Sequence, residues 1–215
     1  MSNSTPSATT APPKVRKRRK DARPQEIVAA AMAEFATHGF AATRLEDIAS
    51  RAGVVKGTIY LYFANKEALF QEVVRANVLP TIAPVQDMIA QFSGPTDALV
   101  EMVLRRMYGQ MLGPDLAPIV RIIITEGGRF PDIATFYYEE VVSKGEELLR
   151  SLLERGVASG EFERSAIVDE QMILAAPVVS AVVWRTTFDV VRPLEVERYI
   201  EAHIEMALNG LRVRS

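Results

Sequence analysis

Twice between Gly39 and Phe63 the chain starts a short helix and stops it again, and that punctuation constrains the fold more than any other feature of the sequence. Upstream, Ile27, Ala31 and Phe35, flanked by Val28, Met32 and Ala36, recur at helical spacing from Pro24 to His38, and Pro24 suits a first turn. Gly39 ends that helix, because glycine adopts the left-handed conformation that commonly closes one, and Phe40 can then fold back on the apolar face. Thr43 with Glu46 three residues later forms a capping box ahead of Leu45, Ile48, Ala49 and Ala52. That helix stops at Gly53, and a third runs from Lys56 to Phe63. Two helices of about two turns each, joined through Gly53 with apolar Val54 turned inward, make a helix-turn-helix.

The second helix of the pair has an unusual composition. Ile59 and Phe63 lie four apart and can face a core, whereas Lys56, Thr58, Tyr60 and Tyr62 put donors and aromatic rings on the other sides. Such a surface suits a DNA major groove: lysine and tyrosine hydroxyls reach phosphates, Thr58 touches a base edge or a thymine methyl, and Gly57 allows close backbone approach. Tyr60 and Tyr62 could instead pack, but two tyrosines at i and i+2 cannot both face one core, so at least one points outward.

The run from Phe35 to Phe70 contains Gly39-Phe40, Thr43, Asp47-Ile48-Ala49, Ala52-Gly53-Val54, Gly57-Thr58-Ile59-Tyr60, Tyr62-Phe63 and Lys66-Glu67-Ala68-Leu69-Phe70. With these spacings intact it resembles the N-terminal domain of the TetR family of bacterial transcriptional regulators. The resemblance implies an all-α chain in which an N-terminal three-helix helix-turn-helix DNA-binding domain joins a C-terminal helical ligand-binding and dimerisation bundle. It implies that Thr43 contacts a phosphate and that Arg44 reaches phosphate or base, although Thr43 also serves as a cap and Arg44 could simply be solvated. It places Lys56, Gly57, Thr58, Tyr60 and Tyr62 on the recognition helix. Lys66 follows the expected N-cap Asn65, where a cation opposes the helix dipole by about 0.3–1 kcal/mol. A phosphate held there by Lys66 and free backbone N–H groups would explain the placement. Val55 departs from the family pattern, in which many relatives have a small polar capping residue.

Charge divides the chain along the same line. The net charge is −2, but residues 1–75 hold 12 Lys and Arg against 7 Asp and Glu, leaving 13 against 20 for the remainder. A basic N-terminal part suits a polyanion and an acidic remainder repels one. Residues 1–13 are rich in Ser, Thr, Ala and Pro, and a basic run follows from Lys14 to Arg23. The expected organisation is a disordered basic arm over 1–23, the DNA-binding domain over 24–70 and an effector-binding and dimerisation domain over 71–215. The arm either lies along phosphates or a minor groove, or is a solvated tail.

Composition narrows the alternatives. The chain has 215 residues, 48% of them hydrophobic, which is enough to build a core, and it has no cysteine. Two histidines suffice for few metal sites, so no metal or cofactor is expected. The longest apolar run, Met172 to Trp184, contains Pro177 and Ser180 and falls short of the roughly 20 residues needed to cross a bilayer. No signal peptide is read near the N-terminus, and a cytoplasmic protein with no membrane association is expected.

Helical signals recur after Phe70, toward Ala90 with a kink at Pro80 and Pro84, then over 96–112, 116–127, 132–158, 169–190 and 193–212. The last has one broad apolar face: Val196, Tyr199, Ile200, His203, Ile204, Ala207, Leu208 and Leu211. The resemblance implies that this face pairs with a second chain in a homodimer through 169–212, with His203 packed or hydrogen-bonded in the seam. Met102, Met107, Met111, Phe136, Tyr137 and Trp184 are candidates for the wall of an effector pocket or for ordinary core. The function expected is that of a repressor of a palindromic double-stranded DNA operator, released by a small, largely apolar or aromatic effector. An enzyme is disfavoured, since the Glu139-Glu140 pair stands without a catalytic constellation. A DNA-binding protein whose bundle docks a protein partner is the other alternative.

Overall fold

The computed structural model describes the backbone of residues 14–213 and the side chains of residues 23–213. The tract 1–13, expected to be disordered, lies outside the described residues. Helix α1 spans Lys14–Ala42 and contains Pro24. Residues 14–23 of the expected arm fall within this helix, which runs through Pro24 instead of starting there; Lys and Arg are good helix formers and no glycine intervenes. Its expected end is marked by a break at Gly39, whose φ of 77° and ψ of 177° are non-helical. Helices α2 (Leu45–Arg51) and α3 (Lys56–Tyr60) follow, separated by a turn in which Gly53 takes a φ of 64°. Val54 is half-buried against the core, as expected from its apolar side chain.

Helix α4 (Lys66–Asn77) begins at Asn65, whose side chain accepts from the Ala68 N–H, giving the new helix its cap. A 3₁₀ turn at Leu79–Thr81 carries Pro80, and α5 (Ala83–Gln91) starts with Pro84 in its first turn, so the two prolines break the expected long helix. The remaining helices are α6 (Thr96–Met111), α7 (Ala117–Glu126), α8 (Pro131–Tyr137), α9 (Ser143–Ala158), α10 (Ala166–Asp169), α11 (Met172–Thr187) and α12 (Val196–Leu211). Tyr138–Val142 form a π-helical turn joining α8 to α9, so the expected helix over 132–158 is nearly continuous but locally widened.

Two cores organise these elements. The first gathers Ile27, Phe35, Phe40, Ile48, Ile59 and Phe70 from α1–α4 with Ile119, Ile122 and Ile133 from α7 and α8. Phe40 lies at its centre, with ring centroids 5.6 Å from Phe35, 5.4 Å from Phe70 and 4.8 Å from Phe130. Offset and edge-on aromatic pairs of this kind add about 0.5–1.5 kcal/mol each beyond area burial. The second core joins α5, α6, α9, α11 and α12 through Leu99, Val103, Leu153, Val178 and Leu211.

The apolar face of α12 has a different cover from the one expected. Ile200, His203, Ile204, Ala207 and Leu208 are buried within the chain, largely against α6, and Val196 and Tyr199 are partly buried in the same core. Periodicity identifies a face that must be covered, but it cannot distinguish a neighbouring helix from a second chain. His203 is 4% exposed and its Nδ1 lies 2.9 Å from the Tyr108 hydroxyl.

Candidate nucleic-acid interface and effector cavity

The outward surface of the helix-turn-helix is built by α3 and the residues flanking it. Ile59 and Phe63 turn into the core, as their spacing requires, leaving Val55, Lys56, Gly57, Tyr60 and Leu61 exposed and Thr58 half-buried. Tyr60 is 50% exposed, while Tyr62 is half-buried and packs beside Phe63, so one of the two tyrosines faces outward and the other mostly inward. Lys56 pairs with Glu46 at 2.6 Å, which raises the lysine pKa and lowers that of the carboxyl. Val55 precedes α3 without a side-chain cap, as its apolar side chain dictates. Arg44 is exposed at the start of α2.

Gly57 has no φ that would demand glycine, and a Cβ placed there would meet nothing within 4 Å. Nothing inside the protein calls for glycine at this point. Leu61, 79% exposed at the end of α3, was missed by sequence reasoning because a leucine beside alternating aromatics reads as core.

Two residues expected to contact phosphate make hydrogen bonds within the chain. Thr43 is 2% exposed, and its hydroxyl donates to the carbonyls of Gly39 at 2.6 Å and Glu34 at 3.3 Å. It does not cap α2, which starts at Arg44 without a side-chain cap, and Glu46 is engaged with Lys56 instead of a capping box. Lys66 donates to the carbonyls of Phe40 at 2.7 Å, Thr43 at 3.0 Å and Ala41 at 3.2 Å. An ammonium has three protons, and these three acceptors use them all. Carbonyls at a helix end lack intrahelical partners, so a cation there offsets the unfavourable dipole at its own helix start. Burial lowers the Lys66 pKa, and its Nζ also lies 4.6 Å from the Phe40 ring centroid.

The opposite side of the same joint is held by α7. Glu126 accepts from the backbone N–H of Phe40 at 2.8 Å and of Ala41 at 2.6 Å, and Arg121 donates to the Ala36 carbonyl. The extended ψ of Gly39 turns the Phe40 and Ala41 N–H groups out of the helix, and a Cβ on Gly39 would lie 2.6 Å from a Glu126 oxygen. Sequence carried no signal of this contact between residues so far apart in the chain.

A cavity of about 320 Å³ lies between α7 and the bundle. Val120, Ile123 and Ile124 of α7 form one wall; Val141 and Val142 of the π turn, Leu149 of α9 and Ala175 of α11 form others. Of the six candidate lining residues, Met107, Met111 and Tyr137 reach it and Met102, Phe136 and Trp184 do not. Met102 is exposed, Phe136 packs in the first core with the Arg75 guanidinium 4.7 Å from its ring, and Trp184 donates its indole N–H to the Arg192 carbonyl. Burial pushes the Tyr137 phenol up to about 12, so its hydroxyl stays protonated. Among the described residues no group of side chains could hold a metal ion, and no helix is long and apolar enough to cross a membrane.

Known proteins share this arrangement. Residues 27–73 match the bacterial regulatory proteins of the tetR family, and residues 98–210 match the AefR-like transcriptional repressor C-terminal domain. The chain is 26% identical over 196 residues to the HTH-type transcriptional repressor KstR2 of Mycolicibacterium smegmatis, covering 88% of this chain and 90% of that protein. A TetR-family transcriptional regulator from Mesorhizobium loti superposes with a TM-score of 0.74 at 23% identity, covering 93% of this chain and all of that one. The transcriptional regulator FadR from Bacillus subtilis, solved in complex with stearoyl-CoA, superposes with a TM-score of 0.71 at 20% identity over 86% of this chain and 98% of its own. With both halves matched in register, the chain belongs to the TetR family of bacterial transcriptional regulators.

Proposed function

We propose that this protein is a repressor that binds a palindromic operator as a homodimer and leaves it when a small, largely apolar molecule occupies the cavity beside α7. The observation that carries the reading is Gly57: a glycine with open space around it, on an exposed helix, is explained by a partner whose surface approaches the backbone closely. Lys56, Thr58 and Tyr60 would supply polar contacts, Arg44 would reach a phosphate, and Val55 and Leu61 would meet sugar or thymine methyl groups. Tyr62 would contribute through its half-exposed edge. Thr43 and Lys66 would act by fixing the end of α1 rather than by touching DNA.

The dimer needs a face that the chain leaves uncovered. Ile173, Ala176, Ser180 and Val183 are exposed at helical spacing on α11, with Ala202 and Met206 exposed on α12. A second copy laid across these two helices would bury them about a two-fold axis. The two reading helices would then enter major grooves about one helical turn apart, roughly 34 Å.

Release would run through α7. The helix whose Val120, Ile123 and Ile124 wall the cavity also carries Arg121 and Glu126, which hold α1 at its break. An effector that favours a different position of α7 shifts the reading head, and DNA affinity falls by linkage. The B. subtilis FadR complex with stearoyl-CoA supports ligand responsiveness on this fold. Selecting bound fragments from the source genome with purified protein tests the whole reading. Recovery of a palindrome that Tyr60→Ala protein binds at least about tenfold less tightly is expected, whereas recovery of no common sequence would overturn the reading.

A further inference from the structure

The wall of the cavity is apolar except for Thr81, Gln110, Tyr137 and Glu146. Thr81 already donates to the Val78 carbonyl. Glu146, in the first turn of α9, is the one acidic or basic side chain among the described lining residues, and it makes no ion pair or hydrogen bond with the described residues. Its neighbours in sequence are engaged elsewhere or bring no cation inward: Lys144 pairs with Glu140 at 2.6 Å, and Arg150 is exposed and is not on the wall. Among the described residues no Lys, Arg or His lines the space.

A lone carboxylate beside apolar surface is costly unless a partner arrives, because an ionised group that loses water needs an opposite charge or hydrogen bonds in exchange. The same wall would leave an anionic ligand head without any cation and facing Glu146. Tyr137 adds an aromatic ring to the lining, and aromatic rings attract organic cations. Its protonated hydroxyl adds no second negative charge. Met107, Met111 and Met172 supply adaptable apolar contact for a hydrocarbon body.

We infer that the cavity selects amphiphilic organic cations, an apolar body lying among the methionines and aliphatic side chains with an amine or quaternary ammonium against Glu146. This rests on the cavity being the effector site and names the chemical class of its ligand. It separates this chain from a regulator whose ligand presents a free carboxylate inside the bundle.

Three probes with the same octyl chain test it: octyltrimethylammonium, octanol and octanoate, titrated calorimetrically at pH 7 and below micelle-forming concentrations into the full chain and its Glu146→Gln variant. The ammonium is expected to bind wild type at least about tenfold more tightly than octanol. Glu146→Gln should reduce it to the octanol level while leaving octanol unchanged. Equal binding of the ammonium and octanol, a preference for octanoate, or an ammonium affinity untouched by Glu146→Gln overturns the inference and leaves the cavity reading in place. If octanol gives no saturable binding that the cavity-filling Ala175→Phe substitution removes, the cavity reading fails as well.

Discussion

The joint between the helix-turn-helix and α7 and the interior of the C-terminal helical bundle treat their polar groups in opposite ways. At the joint, Lys66 meets three carbonyls, Glu126 meets two N–H groups and the Thr43 hydroxyl meets two carbonyls, so these groups are satisfied by the chain itself. In the C-terminal half, the buried Arg106 Nε, Ser165 Oγ and His203 Nε2 have no partner, and Glu146 faces the cavity unpaired. A joint finished from within can hold a helix in one position. Of these four groups only Glu146 lines the cavity, and a cavity with an unpaired carboxylate on its wall is open to something that the chain does not supply.

That contrast predicts a graded set of losses. The largest is at Lys66. Lys66→Met keeps the hydrocarbon stem but removes a charged donor from three carbonyls at the end of α1, two of them part-buried, and losing hydrogen bonds from a charged group costs about 1–3 kcal/mol. Urea denaturation should show the drop as a lower midpoint with an unchanged slope. Retention of full stability would mean that water satisfies those carbonyls equally well.

A smaller loss is expected at Glu126. Glu126→Gln retains one acceptor oxygen but loses the negative charge opposite the Phe40 and Ala41 N–H groups, a change of roughly 1 kcal/mol. Its functional effect should exceed its effect on stability, because α7 would no longer grip α1. Comparing operator affinity with and without a cavity ligand checks this: the ligand-induced change should shrink in the variant, and an unchanged ratio would remove Glu126 from the coupling.

The smallest effect concerns pH in the bundle. Burial among Tyr108, Tyr199 and the aliphatic core lowers the His203 pKa from its ordinary value. The unfolded chain therefore takes up a proton before the folded one does. The stabilising contribution of neutral His203 is present above about pH 6.5 and is lost as pH falls toward the depressed folded value. Thermal unfolding of wild type and His203→Gln at pH 7.5 and 5.5 should give a smaller acid-dependent drop in the variant. Equal drops would assign the acid sensitivity to other groups.

Much of the head was legible in the sequence because its signals are local. Gly39 and Gly53 marked two helix stops, Asn65 marked a start, and the spacing of Ile59 and Phe63 separated the buried side of α3 from its exposed side. Lys66 was recognised as electrostatically misplaced, and that oddity was informative. The partner inferred for it was a phosphate, however, whereas the end of α1 lies against it in space. The same limit explains α12, whose apolar face was evident while its cover by α6 was not. Glu126 and Glu146 gave no signal at all, since a carboxylate in a helical stretch reads as solvent-facing until the neighbouring helices are in place.

The central claim, that α3 meets DNA closely along Gly57, is tested most directly by Gly57→Leu. Leucine is the better helix former by about 0.5–1 kcal/mol and has open space around it, so the variant should unfold no earlier than wild type. Its operator affinity in a mobility-shift titration at moderate salt should nevertheless fall by more than about tenfold. Unchanged affinity in an equally stable Gly57→Leu protein would contradict the account.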